Sequence, residues 1–254
     1  MSDFYKILLE FIAILLIFSV FACSPKRVLV VGTSPDFMPY EFFDADGRLS
    51  GFDIELIEEI GKRIGRKIEF REMEFTDILP AVVAGNIDAG LSALTITTQR
   101  MQEVLFSTPY TTNAQVLVVK YDDDTWDDLE KDAIEERLGG TIRIGTCENY
   151  IGYFYAEKVL GETGTLSGYL NFTEAIEALY NDFNDVLIMD RIVALKAAEI
   201  EENNIKIIDV TLTTENYGIA MNLNNTKLKD QIDNAITTMI EDGTLERLTI
   251  FWKE

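Results

Sequence analysis

The chain has 254 residues, 47% hydrophobic and 26% charged, which excludes intrinsic disorder and suffices for two ordinary cores. Its 22 Lys and Arg against 44 Asp and Glu give a net charge of −22, so it repels phosphate backbones and nucleic acid is excluded as a partner. It has no histidine and only two cysteines, which removes His-based triads, His general bases and the common zinc centres; no metal and no cofactor are expected.

From Phe11 to Ala22 the sequence is almost unbroken apolar (FIAILLIFSVFA), too short at about twelve residues to span a bilayer but the length of a signal h-region. It ends in Ala22-Cys23-Ser24, which resembles a bacterial lipoprotein signal, where a small residue precedes a Cys that becomes lipidated. The resemblance implies a signal peptide over residues 1–22, a lipid anchor on Cys23 and a folded part outside the cytoplasm, periplasmic or on the cell surface. A plain signal anchor is the alternative and gives the same side of the membrane. With Cys23 acylated, Cys147 is the remaining thiol and no intrachain disulfide forms.

RVLVVG (27–32) predicts a buried strand, continuous and β-branched. After the turn DADGRLS, GFDIELIEEIGKRIG sets Ile54, Ile57, Ile60 and Ile64 at near-helical spacing, an amphipathic helix with its acidic face in water. KIEFREM reads as the next strand. TDILPAVVAG reads as a short helix with Thr76 as N-cap, Pro80 in the first turn and Gly85 ending it. GLSAL follows as a strand and TTQRMQEV opens another helix. The acidic run YDDDTWDDLEKDAIEERL is a solvated face with a short helix. TIRIGTCENY then echoes RVLVVGTSPDF, and EALYNDFNDVLIMDRIVALKAAEI echoes AVVAGNIDAGLSALTITTQR. YGIAMNLNN is a strand, and the remainder is helical. This alternation argues an α/β fold with mainly parallel sheets, and the weak repeat argues two similar lobes. Without Gly/Ser or Pro linkers, the lobes are joined by ordered segments near FSTPYTTNA and TLTTENY.

Ligands of open α/β sheets sit beyond the carboxyl ends of strands. At one such end LSALTITTQR gathers Ser92, Thr95 and Arg100: hydroxyls and a guanidinium fork that suit a carboxylate. The plain reading is that Thr97 or Thr98 caps a helix while Arg100 pairs with a surface acid. At another end VLIMD leaves Asp190 either as a helix N-cap or as a carboxylate awaiting a cation. Phe37, Tyr40 and Phe52 are either core rim or the walls of a side-chain pocket. Cys147 is a structural small residue, since no histidine or second thiol is at hand to activate it.

GFDIELIEEIGKRIG and GNIDAGLSALTITTQRMQEVLFSTPY resemble the hallmark segments of family 3 extracellular solute-binding proteins, the amino-acid receptors of ABC importers. The likeness runs from about Arg27 to Trp252. It implies a type II periplasmic-binding architecture: two Rossmann-like lobes, 26–112 plus 214–254 and 113–213, with a ligand cleft between them. It implies a monomeric protein that binds an amino acid and delivers it to a permease in the membrane. By position, Arg100 clamps the ligand α-carboxylate with help from Thr95, and Ser92 meets the ammonium or side chain. Phe37 and Phe52 are the aromatic walls, and Asp190 binds the α-ammonium. Two positions depart from the family: Glu148-Asn149-Tyr150-Ile151 replaces a small Gly-Ser-Thr-like loop, and Ser34 stands where receptors for basic residues carry an acid. The same fold also accommodates a cyclohexadienyl-dehydratase-like enzyme, which would need an acid such as Glu148 in the cleft, or a sensory module whose partner is a receptor.

Overall fold

The structure, a computed structural model, describes residues 28–200 and 204–253. The apolar run, Cys23 and the signal reading attached to them lie outside the described residues.

Strand β1 (Val28–Thr33) opens the first lobe; Leu29 and Val31, which share one face, are fully buried, and Val30 on the other face is partly buried. A small antiparallel flap follows, made of β2 (Asp36–Phe37), β3 (Glu41–Phe43) and β4 (Leu49–Ser50). Gly51 then takes φ 131°, where a Cβ would lie 2.1 Å from the Tyr40 carbonyl oxygen, so only glycine lets the chain pass that close. Helix α1 (Phe52–Ile64) starts there, buries Ile54, Leu56, Ile57 and Ile60, and ends on left-handed Gly65. Strands β5 (Lys67–Glu72) and β6 (Ala89–Gly90) flank β1 in parallel, with α2 (Phe75–Ala84) between them. With β7 (Val104–Phe106) and the late β13 (Ala220–Asn222) the sheet runs β5-β1-β6-β13-β7.

The second lobe's sheet is built from β8 (Thr111–Lys120), β9 (Arg143–Cys147), β10 (Thr165–Tyr169), β11 (Val186–Asp190) and β12 (Ile205–Tyr217), in the order β10-β9-β11-β8-β12. Between its strands lie α3 (Lys131–Leu138), α4 (Ile151–Val159), α5 (Phe172–Tyr180) and α6 (Arg191–Ala198). The chain then returns through α7 (Thr226–Glu241) and α8 (Thr244–Lys253) to pack on α1, where Arg63 donates to Thr238 at 3.0 Å and to Thr244 at 3.1 Å. Among the described residues no helix is long and apolar enough to cross a membrane.

β8 and β12 tie the two sheets together. They pair antiparallel from Thr111 and Tyr217 to Lys120 and Ile205, with a register shift between Ile208 and Thr213. At their first-lobe end the Tyr110 N–H donates to the Tyr217 carbonyl at 3.1 Å, and the Gly218 N–H to the Leu94 carbonyl at 3.0 Å.

Three local expectations differ from the structure. The helix read into TTQRMQEV is only a 3-10 turn over Arg100–Gln102. Thr97 Oγ1 accepts the Arg100 N–H at 3.1 Å, and the apolar pair Val104 and Phe106 is drawn into β7. The strand over GLSAL is confined to Ala89–Gly90, because Ala93 turns at φ 45° and its N–H donates to Asp53 Oδ2 at 2.8 Å. Helix α2 begins before Thr76, with Glu74 at the cap position, no side-chain cap and Pro80 in its interior. Its first residue, Phe75, is held instead by the Tyr150 ring at 4.5 Å.

Candidate functional site

Asp190 ends β11 in the second lobe, and Arg100 stands in the 3-10 turn that follows β6 in the first. Asp190 stands at the cap position of α6, yet its side chain makes no cap bond. Its Oδ1 accepts from Asn113 Nδ2 at 2.7 Å and from the Tyr217 hydroxyl, and its Oδ2 accepts from Gln115 Nε2 at 3.0 Å. All three donors are uncharged and sit on β8 and β12. Burial pushes the Asp190 carboxyl up to about 7, the nearby Glu215 charge adds to the rise, and the Tyr217 and Gln115 hydrogen bonds oppose it.

Glu215 was not among the residues anticipated from sequence. It is buried, with Oε1 accepting from Gln115 Nε2 at 3.0 Å and from Thr213 at 2.8 Å. Its Oε2 accepts from Thr95 Oγ1 at 3.1 Å, so the Thr95 hydroxyl is committed to an acid of β12. One amide nitrogen, on Gln115, thus serves two carboxylates. Asn113, Gln115 and Glu215 were hidden by their setting, inside strands where polar residues read as edge positions. The available signal is the spacing of Asn113 and Gln115, which places both on one face.

Arg100 is half-buried and makes no ion pair among the described residues. One guanidinium nitrogen donates to the Thr95 carbonyl at 2.9 Å, and the group lies 5.7 Å from the centre of the Phe75 ring. Burial pushes its proton affinity down, while Glu215, Tyr217 and Tyr150 push it up. Ser92 is buried, donates to Glu41 Oε1 at 2.8 Å and accepts the Ser34 N–H at 3.1 Å. Behind it, Asp53 Oδ2 accepts from the Tyr110 hydroxyl at 2.9 Å as well as from Ala93, which fixes the turn that carries Ser92. Burial raises the Glu41 carboxyl well above its ordinary range, and the Asp53 charge adds to it.

Phe37 is buried and lines neither the cavity at Arg100 nor that at Ser34, but its ring meets the second lobe, with centres 5.5 Å from Tyr150 and 5.8 Å from Phe172. Phe52 does not join it: this ring is fully buried one layer behind, edge-on to Tyr40 at 6.0 Å and tilted against Tyr110 at 6.0 Å. The first-lobe aromatic that lines the cavities is Phe75, which was not among the residues anticipated from sequence. A cavity of about 450 Å³ is lined by Arg100, Phe75, Leu94, Thr97, Asn149 and Phe154. A smaller one of about 240 Å³ is lined by Ser34, Asp36, Glu74, Phe75, Tyr150 and Tyr169. Cys147 is buried and burial pushes its thiol far up, which leaves it inert. Among the described residues no three His, Cys, Asp or Glu side chains converge to hold a metal ion.

The profile of the bacterial extracellular solute-binding proteins, family 3, matches residues 29–254. A probable histidine-binding protein of Neisseria gonorrhoeae is 30% identical over 232 residues, 89% of this chain and 83% of that one. Among solved structures, an ancestral arginine-binding protein bound to arginine superposes with a TM-score of 0.82 at 33% identity, covering 91% of this chain and 100% of the other. An ancestral amino acid-binding protein, a precursor of cyclohexadienyl dehydratase, gives 0.81 at 28% identity over 89% of this chain and 96% of its own.

The shared amide has a testable consequence. Gln115→Leu leaves two buried carboxylates short of a donor, which costs about 1–3 kcal/mol. Asp190's folded pKa of about 7 lies above its ordinary 3.8, so it holds its proton through that window and carries full charge only above about 7. The loss read by urea unfolding should therefore be larger at pH 8 than at pH 5. Equal losses at both values would mean that the amide serves packing alone.

Proposed function

The chain belongs to the bacterial extracellular solute-binding proteins, family 3, and we propose that it binds a free amino acid between its lobes and delivers it to an ABC permease. What supports this reading is that each lobe carries one charged group of the right kind, the Arg100 guanidinium in the first and the Asp190 carboxyl in the second, neither in an ion pair with a described residue. A zwitterion supplies both missing charges. Its carboxylate takes the guanidinium fork, with Thr95 beside it, and its ammonium takes Asp190 and the strand end at Ser92. Phe37 and Phe75 bound the side chain. Each lobe owns one charge partner, so only the closed arrangement satisfies both, and β8 and β12 are the hinge between lobe 1 (26–112 plus 214–254) and lobe 2 (113–213). The histidine and arginine named for its relatives support an amino acid as the ligand. Glu148, the acid that a dehydratase would need in the cleft, is exposed and lines the smaller cavity beside Gly168, so the binding reading rests on the binding-protein relatives and not on the placement of this acid. The protein works outside the cytoplasm as a monomer held to the membrane by acylated Cys23.

A thermal-shift screen of the amino acids identifies the ligand, since a ligand at a hundred times its Kd adds about 2.7 kcal/mol. Calorimetry should then show Arg100→Ala nearly abolishing binding and Asp190→Asn costing about 2–5 kcal/mol. The ammonium needs Asp190 ionised, and below about pH 7 that carboxyl holds a proton which binding must expel. Affinity should therefore fall on acidification, by up to about tenfold per pH unit. An Asp190→Asn variant within about threefold of the wild type, or a flat profile from pH 8 to 5, would remove Asp190 from the receptor. Separately, Cys23→Ala should release the protein from membranes or stop its processing; unchanged fractionation and migration would remove the lipid anchor.

A further inference from the structure

Resting on the amino-acid reading above, we infer that Tyr150 sets the size of side chain the cleft admits. Tyr150 occupies the N-cap of α4, a position that Ser, Thr, Asn, Asp and Gly fill because a short polar side chain, or none, suits the first turn. A tyrosine offers no such cap, and none is made. A local rule broken with no local return marks a position kept for another purpose. Asn149 before it adopts φ 64°, a left-handed turn that Asn tolerates, and from this turn the phenol ring reaches across to the first lobe.

There the ring stacks on Phe75 at 4.5 Å with the planes 20° apart, and lies 5.5 Å from Phe37. Phe172 of its own lobe backs it at 5.8 Å. Phe37 and Phe75 are the walls left for a ligand side chain once Phe52 is set aside, and Tyr150 contacts both. The two cavities share Phe75, Thr76 and Asn149 as lining, one opening toward Arg100 and the other toward Ser34. Tyr150 is therefore a partition across the side-chain end of a single cleft. A ligand held at its α-groups by Arg100 and Asp190 directs its side chain at this ring. A small side chain fits beside the ring; a long or aromatic one must displace it from three aromatic partners.

The test compares the wild type with Tyr150→Ser and Tyr150→Phe by calorimetry against glycine, alanine, valine, phenylalanine, lysine and arginine. Tyr150→Ser removes the ring and supplies a capping hydroxyl, so the start of α4 is preserved; Tyr150→Asn repeats the comparison if the Ser variant melts early. Relative to alanine, the largest side chains should gain about tenfold or more in the Ser variant, the scale on which apolar pockets discriminate size. The Phe variant should keep the wild-type order. An unchanged rank order in the Ser and Asn variants would overturn the role of Tyr150. Failure of every protein, wild type included, to bind any amino acid would instead sink the amino-acid reading and this inference with it.

Discussion

A buried carboxyl group at the end of β11 is the constraint on which the cleft depends. Asp190 is removed from water without a cation, held by Asn113, Gln115 and Tyr217. Dipoles of uncharged donors stabilise a buried carboxylate only in part, and Glu215 on the same amide works against it. The group is consequently poised near neutrality instead of being firmly ionised. A cation arriving at Asp190 gains an interaction the protein withholds from itself, and the donors that hold the carboxyl come from the two strands joining the lobes. In the proposed receptor, ligand charge and hinge geometry thus meet at one residue. Arg100 stands in the mirror situation in the other lobe, screened by Phe75 and bonded to a backbone carbonyl, with its fork otherwise available.

Aromatic contacts set the scale against which these charges act. Tyr150 meets three rings, two of them on the facing lobe, and each such pair is worth about 0.5–1.5 kcal/mol beyond its buried area. Open and closed states of a hinged protein differ by only a few kcal/mol. The ring cluster is therefore large enough to bias the lobes toward closure, and a ligand that disturbs it loses that bias. In the proposed receptor the charge pair selects the backbone of the ligand, while the rings govern what is attached to it.

Much of this was legible in the sequence where one local signal dominates. The Ile54, Ile57 and Ile60 spacing and the terminal Gly65 define α1 without reference to the rest of the molecule, and Gly85 closes α2 in the same way. Arg100 and Asp190 stood out because they follow strand ends. What escaped depends on contacts distant in sequence. Thr97 through Gln102 has helix-like composition, but the Thr97 hydroxyl takes the Arg100 N–H and Val104 and Phe106 pair with β13, so only a turn survives. Phe52 and Phe75 both open helices. Only the tertiary placement, behind Tyr40 for one and over Tyr150 for the other, tells core from cleft. Glu215 gives no sign in the chain of lying beside Gln115, a hundred residues earlier.

The central claim is that Asp190 ionises against the ligand's ammonium. Carbon-13 NMR of the Asp190 side-chain carboxyl, titrated with and without saturating amino acid, tests it directly. Without ligand the group should titrate near pH 7, and with ligand its midpoint should fall, the direction an adjacent cation imposes. A midpoint that stays put when the amino acid binds would contradict the account.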